Sequence, residues 1–441
     1  MKGEATSARK ITRNDSTIIP RRMAKKSLYE KAKIRLKNAE LNRYRTLDYI
    51  AHGMLGVFGQ KKINMIFYSA MAGYIPVLKL IAGWMLLRMR SANQDVSEEL
   101  YSYFKDSNLK YVNYCLADWL LKHRDYSART EYHFERAQER NREININFRY
   151  TDFVTQKYGY KSDKLKRIIK RLMSIEVKRN LTKSQKLRLA IILYHCSQAK
   201  AANEIVKGIG KNFLLNNTTS PYVFKRVYKY NIFSSPYFER GAKIYDEILR
   251  GRQEFQRRLV SSRESFCLVG NAPTEIGTGN GSNIDAKDLV IRINDYSLNH
   301  VDDYGCKQDV WIRVANKEIT QDHLSGSSLV VFAANNFAVK RKDAARYLLP
   351  PHLMGKEYTV IPSHIYRELI ARLDGLPSTG LVIAYWIYTI IGKISRDSLF
   401  GFSHLVESSD FKAHYYADQI EIGTHLHEWE KERLIFNQIT K

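Results

Sequence analysis

The chain has 441 residues, too many for one ordinary domain, so two or three structural units are expected. Its composition, 44% hydrophobic and 26% charged with 23 Gly and 9 Pro, is that of a folded protein and excludes a wholly disordered one. The formal net charge of +26 calls for an anionic partner: a nucleic acid, an anionic membrane surface or an acidic substrate.

Residues 1–62 are basic and helix-prone. Residues 1–50 hold 14 Lys and Arg against 5 Asp and Glu, and Met1–Pro20 has no apolar run of the kind a signal peptide needs. Zinc-finger spacing and RNA-binding signatures are missing, so a membrane surface is the expected partner and nucleic acid is not. Ile63–Leu87 is mostly apolar and just long enough to span a bilayer, but Lys79 and Pro76 interrupt it. A buried hairpin or an interfacial helix is therefore expected before a true span. Residues 63–255 read as an α-helical region, membrane-apposed or helical-repeat-like. Amphipathic stripes run over Glu98–His123 and Lys186–Gly208, the second with the small-residue pattern of stacked helical pairs, although no clean repeat period emerges. The cysteines Cys115, Cys196, Cys267 and Cys306 are widely separated. They suggest neither a metal site nor a disulfide framework, and hence a reducing compartment.

Residues 256–441 change texture. Short apolar strands are expected at Phe266–Val269, Leu289–Ile293, Asp309–Val314, Leu329–Ala333, Tyr358–Ile361 and Ser398–Phe402, with a buried helix over Gly380–Ile391. Apolar strands alternating with helices imply an α/β, Rossmann-like domain with a mostly parallel sheet, whose ligands bind at the carboxyl ends of the strands. The first strand exits into Gly270-Asn271 and the second into Asn294, side chains able to hydrogen-bond a phosphate or ribose without adding charge. The loop from Gly277 to Ser282 offers backbone N–H groups for an anion cradle, or simply a flexible turn.

The pattern Cys267, Val269-Gly270-Asn271, Ile284-Asp285, Asp288, Val290, Arg292, Asn294 and Asp303-Tyr304-Gly305 resembles the long sialyl motif of glycosyltransferase family 29. Pro377-Ser378-Thr379-Gly380 followed by Leu399-Phe400-Gly401-Phe402 is similar to the short motif. His414-Tyr415-Tyr416 is similar to the aromatic third motif, and His425…Glu430 to the terminal H-x4-E motif. The resemblance covers roughly Phe266 to the end of the sequence and implies a glycosyltransferase that moves a sialic-acid-type 2-keto sugar acid from a CMP-activated donor to a glycan or glycolipid hydroxyl, with no metal cofactor. It implies that Asn271, Asn294, Ser378, Thr379, Gly380, His414 and Tyr415 bind the donor, that His425 is the general base and that Glu430 supports it. His427, two residues on, is the rival base. His404, His414, His425 and His427 lack the spacing of a zinc site.

Two departures stand out. Residues 377–402 contain no cysteine to pair with Cys267, and Ala272-Pro273 follows the motif asparagine. With no signal anchor visible, the resemblance suggests a bacterial-type member, cytoplasmic and peripheral on the inner membrane face. A CMP-Kdo-dependent transferase of capsule or lipopolysaccharide synthesis is the nearest alternative, with Asp295 or Asp303 as the nucleophile if the reaction retains configuration. A non-catalytic, sialyltransferase-like scaffold with a helical interaction region is the other.

Overall fold

The computed structural model describes residues 101–441 apart from 103–104, 107–109, 139–143, 179–180, 315–320, 335–343 and 404–426. The basic segment 1–62 and the apolar stretch Ile63–Leu87 lie outside the described residues. Among the described residues, no helix is long and apolar enough to cross a membrane. The chain divides into two compact units, Met1–Leu116 and Ala117–Lys441, with helix α1 (Lys110–Lys122) running across the boundary.

The second unit begins with helices α2 (Ala128–Gln138), α3 (Ile144–Lys157), α4 (Asp163–Lys178), α5 (Lys183–His195), α6 (Ala199–Ile209), α7 (Lys211–Asn217), α8 (Pro221–Lys229) and α9 (Pro236–Ser261). Local signals fix several ends. Thr182 and Gln185 form a reciprocal capping box at the start of α5, and Ser220 caps α8 with Pro221 at its first position. The expected stripe Lys186–Gly208 is two helices because Ser197 adopts a left-handed φ of 61° and breaks the run after Cys196. Aromatic stacking of Phe134 on Tyr150, with ring centres 5.2 Å apart, and of Phe153 beside both, packs α2 on α3.

The remainder is one sheet with helices. Among the described residues the strands are β1 (Phe266–Val269), β2 (Leu289–Ile293), β3 (Val310–Arg313), β4 (Leu329–Phe332), β5 (Glu357–Val360) and β6 (Leu399–Phe400). They are all parallel, in the order β5-β4-β3-β2-β1-β6. The connecting helices are α10 (Gly281–Asp285), α11 (Val301–Tyr304), α12 (Gln321–Gly326), α13 (Ala344–Leu353), α14 (Ser363–Leu373) and α15 (Thr379–Ile391), and α16 (Trp429–Ile439) follows β6. The α/β class expected from the sequence is observed, and each expected strand is present to within a residue or two at its ends.

Apart from Glu357, every strand residue is buried, as a parallel sheet covered on both faces requires. In-register residues share a face, so Val269, Arg292, Trp311 and Val330 line one side. Ile284 and Tyr304 of α10 and α11 cover that side near β1 and β2, and Leu324, Ala344, Tyr347 and Leu348 of α12 and α13 cover it near β3 to β5. Thr359 points to the opposite face, where its hydroxyl donates to Ile248 O of α9 at 2.7 Å. Helix α9 thus runs along the edge strand β5, and its Phe255 stacks on Trp386 of α15 at 4.4 Å. The boundary expected at 255/256 falls inside this helix, because α9 belongs to the same unit as the sheet it covers.

The closeness of that packing yields a prediction. A Cβ at Gly251 would lie 2.2 Å from Tyr358 O, a backbone atom that cannot step aside. In an exposed helix Gly→Ala stabilises by about 1 kcal/mol, whereas an overpacked contact costs about 1–3 kcal/mol. Gly251→Ala is therefore expected to lower stability by up to about 2 kcal/mol, seen as a reduced urea midpoint at unchanged m-value.

Candidate functional site

The chain lays down β1 to β5 in one direction across the sheet and then returns to place β6 on the other side of β1. The point where the order reverses is where an open α/β sheet opens a crevice at its carboxyl edge. Here the exits of β1 and β6 are glycines. Gly270 N donates to Phe400 O at 2.8 Å and Ala272 N to Gly401 O at 2.9 Å, so the two main chains stay paired beyond the strands. A Cβ on Gly270 would lie 2.4 Å from Gly401 O, and one on Gly401, whose φ is 70°, would lie 2.6 Å from Gly270 O. Only glycine fits at either place.

Phe402, just past this contact, sits between two loops. A Cβ on Gly270 would come within 3.2 Å of its ring, and one on Gly380, at the start of α15, within 3.0 Å. The Pro377–Gly380 turn and the Gly270-Asn271 turn are therefore one aromatic ring apart. Asn271 is buried and its amide nitrogen donates to Ile293 O (2.9 Å) and Asp295 O (3.1 Å). Those two carbonyls fix the amide orientation and leave Oδ1, an acceptor, for a ligand. Asn294 adopts a left-handed φ of 55°, and its Oδ1 accepts from Val314 N at 3.2 Å, leaving Nδ2 as a donor. The two asparagines at neighbouring strand ends thus have opposite hydrogen-bonding polarity.

Ser378 caps α15: its Oγ accepts from Leu381 N at 3.3 Å. The N–H groups of Thr379 and Gly380, both half-exposed, belong to the unsatisfied first turn of that helix, the end that favours negative charge. Ser378 is also tied to the last helix. Its N–H donates to Glu432 Oε1 at 2.8 Å and its hydroxyl to Glu432 Oε2 at 2.5 Å. Glu432 is fully buried, and that burial pushes its carboxyl up to about 7 against the pull of the two Ser378 hydrogen bonds. His427, just before the start of α16, places Nδ1 2.9 Å from Leu376 O and 3.7 Å from Glu432 Oε1. A nitrogen facing a carbonyl carries the proton, so Nε2 keeps the lone pair. Burial lowers the pKa of His427 below the usual 6.5, favouring the neutral, proton-accepting ring.

The structure thus brings Asn271, Asn294 and the Ser378–Gly380 turn to one edge of the sheet. His414, Tyr415 and His425 lie outside the described residues, as do Tyr416 and His404. Glu430 points outward, its side chain 72% exposed and paired with Arg433 at 2.8 Å. The acidic residue that reaches the α15 turn is Glu432. Its spacing from His427 repeats that of Glu430 from His425, a signal present in the sequence but outweighed there by the first histidine. The loop after β1 is not an open anion cradle: its N–H groups at Gly277 and Gly279 already serve the Asp303 carboxylate and hold its pKa low, and Thr278 N donates to Glu275 O at 3.0 Å. Asp295 is likewise committed, to Arg313 at 2.6 Å. Glu275, and Tyr304 of the quoted motif, to which the sequence assigned no role, brace the crevice wall. Glu275 accepts from Gly401 N at 2.9 Å, and Tyr304 Oη donates to Ala272 O at 2.6 Å.

All four cysteines are free thiols, with burial pushing Cys267 up to about 12. Among the described residues no three His, Cys, Asp or Glu side chains converge as a metal-ion site. No protein-family model matches the chain, and no curated protein sequence does.

The state of Glu432 can be read from stability. Its folded-state pKa lies above the unfolded value of 4.5, so its contribution to stability is fully present below pH 4.5 and is lost as pH rises through about 7. Glu432→Gln keeps the acceptor for Ser378 N–H and removes the titration. Unfolding free energies of the two proteins are expected to converge at low pH, and the variant should gain on the wild type between pH 4.5 and 7 by about 3 kcal/mol at most. Parallel pH profiles would show that Glu432 does not carry the shift.

Proposed function

We propose that the Ala117–Lys441 unit is a glycosyltransferase that moves a 2-keto sugar acid from its CMP-activated donor to an acceptor hydroxyl. The observation that carries this reading is the meeting of His427, Glu432 and the amino end of α15 at the carboxyl edge that also holds Asn271 and Asn294. Each group has a task whose chemistry suits it. The donor phosphate lies at the α15 amino end, where unsatisfied N–H groups and the Asn294 amide meet its charge. The Asn271 oxygen accepts from a donor hydroxyl or amino group. His427 Nε2 takes the proton of the acceptor hydroxyl as that oxygen attacks the anomeric carbon. The carbon–oxygen bond to the phosphate breaks, CMP leaves with the bonding pair, and configuration inverts. Glu432 acts through Ser378, fixing the helix end relative to the base.

This reading takes His427 as the base, on its held tautomer and lowered pKa; the expected His425 lies outside the described residues. Sialic acid and Kdo donors share the cytidine monophosphate and the anomeric carboxylate that these groups address, so the reading commits to the shared chemistry. Asp295 and Asp303 are engaged elsewhere, which favours inversion over a covalent intermediate.

The test is CMP release from CMP-sialic acid and CMP-Kdo, each with and without acceptor glycans. His427→Ala is expected to lower kcat by about a thousandfold, the usual weight of a positioned general base. Asn294→Ala should raise KM for the donor more than it lowers kcat. The wild-type rate should fall on the acid side with a pKa below 6.5, as the His427 ring becomes charged. Failure to turn over or bind either donor would overturn the reading. Full activity in His427→Ala would overturn the base assignment alone.

A further inference from the structure

The α8–α9 hairpin ends in a projecting tip that the candidate site does not use. Tyr228, in the last turn of α8, is 52% exposed, and Tyr237, in the first turn of α9, is 64% exposed. They lie at the same end of the hairpin. One turn further in, Phe224 packs against Gly241 and meets Phe238 edge-on at 5.2 Å, so the two helices are clamped below the tip. Three cations belong to the same end of the hairpin. Lys229 ends α8, Arg240 lies one turn into α9, and Lys211 reaches across to donate to Ser234 O at 2.6 Å. All three are exposed, and among the described residues none has a carboxylate partner, whereas Lys225 and Lys243 nearby are paired with Asp246 and Glu239. A tip that exposes two large aromatics with polar ends, beside unneutralised charge, is unusual for a surface facing only water.

Its position in the fold supplies the second observation. Arg258 of α9 pairs with Glu357 at the start of β5, and Ile248 accepts from Thr359 near its end, so α9 runs antiparallel to the strands. Ile244 still packs with Phe332 and Val360, and the eight residues from Pro236 to Lys243 continue beyond that contact by roughly 12 Å at the helical rise of 1.5 Å per residue. The tip therefore projects beyond the same sheet edge that carries the candidate site. Exposed apolar side chains stand on the loops of that edge as well: Ile276 after β1, and Leu298 and Val301 after β2.

We infer that the α8–α9 tip docks this unit on an anionic lipid bilayer, with the carboxyl edge of the sheet turned toward the membrane. Tyrosine rings enter the headgroup layer with their hydroxyls at the water side, and the three cations face anionic headgroups. A convex, projecting tip suits a broad planar partner. A nucleic acid would instead be stacked on a platform or tracked along a groove. If the transferase reading holds, docking presents the crevice to an acceptor held at the membrane surface. Vesicle binding does not depend on that reading and can fail or succeed without it.

The experiment is co-sedimentation of the full chain with vesicles of phosphatidylcholine alone and of phosphatidylcholine with phosphatidylglycerol. Binding is expected to the second and not the first. At about 1 kcal/mol for each basic side chain near an anionic surface, K229Q/R240Q should weaken it on the order of thirtyfold. Y228S/Y237S should weaken it too, at unchanged thermal stability because both rings are exposed. K166Q/K170Q removes the same charge from the exposed face of α4 and should leave binding intact. The inference is overturned if the wild type ignores anionic vesicles or if the tip variants bind like the wild type. It also fails if the α4 variant loses as much, or if a single-stranded oligonucleotide competes the protein off the vesicles. Tip variants that change the oligomeric state but not vesicle binding would point to a protein partner and equally reject it.

Discussion

A buried carboxylate pressed against the start of a buried helix organises the carboxyl edge of this sheet. Glu432 has left water entirely, and both of its oxygens accept hydrogen bonds from one residue, Ser378. A carboxyl group held this way is costly to bury and costly to leave unpaired, so it locks together the two elements it joins. One is the amino end of α15, the other the first turn of α16. Because α16 is held there, His427 is brought against Leu376 O with one nitrogen committed and the other available. The last helix and the turn before α15 are more than fifty residues apart in the chain, and this buried contact, with the His427–Leu376 and Lys431–Leu373 hydrogen bonds beside it, sets their spacing.

The second constraint is steric. Gly270 and Gly401 allow β1 and β6 to remain paired past the ends of the strands, and the ring of Phe402 fills the space between Gly270 and Gly380. Side chains at either strand exit would push the loops apart and separate the Asn271 turn from the α15 end. Around this frame the polar groups are largely satisfied from within. Asp303 accepts from the loop N–H groups of Gly277 and Gly279, Asp285 accepts from Cys306 and Lys307 N–H at 2.9 and 2.8 Å, and Arg292 donates to Tyr304 O and Lys307 O. Acidic side chains beside the crevice thus serve as staples for its loops. Among the described residues, these staples leave to a ligand the complementary pair of asparagine groups, the helix end and one imidazole nitrogen.

The helical part of the unit supports the sheet more directly than a separate domain would. Helix α9 covers the edge strand β5, where unpaired backbone groups would otherwise invite another chain, and it does so closely enough that Gly251 touches the strand's main chain. The same helix continues past the sheet and carries the hairpin tip with it. Edge protection and surface display are therefore properties of one long element.

Much of this architecture is written locally in the sequence. Continuous apolar runs such as Phe266–Val269 and Leu289–Ile293 can be stable only when covered on both faces, so strand positions, the parallel class and the carboxyl edge as the place for a ligand follow without tertiary information. Ser378 before an apolar helical run likewise marks a helix start. Which of Glu430 and Glu432 turns inward is not a local property. Each follows a histidine at the same spacing in the sequence, and only the packing of α16 against the loop before α15 decides that Glu432 turns inward while Glu430 meets solvent and Arg433. The fate of the glycine loop after β1 is equally non-local, since nothing within Gly277–Ser282 shows that Asp303 will occupy its N–H groups. Nor does the sequence alone show that α9 belongs with the sheet: its amphipathic pattern reads the same whether it packs on other helices or along a strand. Periodicity and residue type determine which elements form and which face they bury. Which side chains meet depends on contacts between elements distant in sequence, and those are decided only when the chain closes on itself.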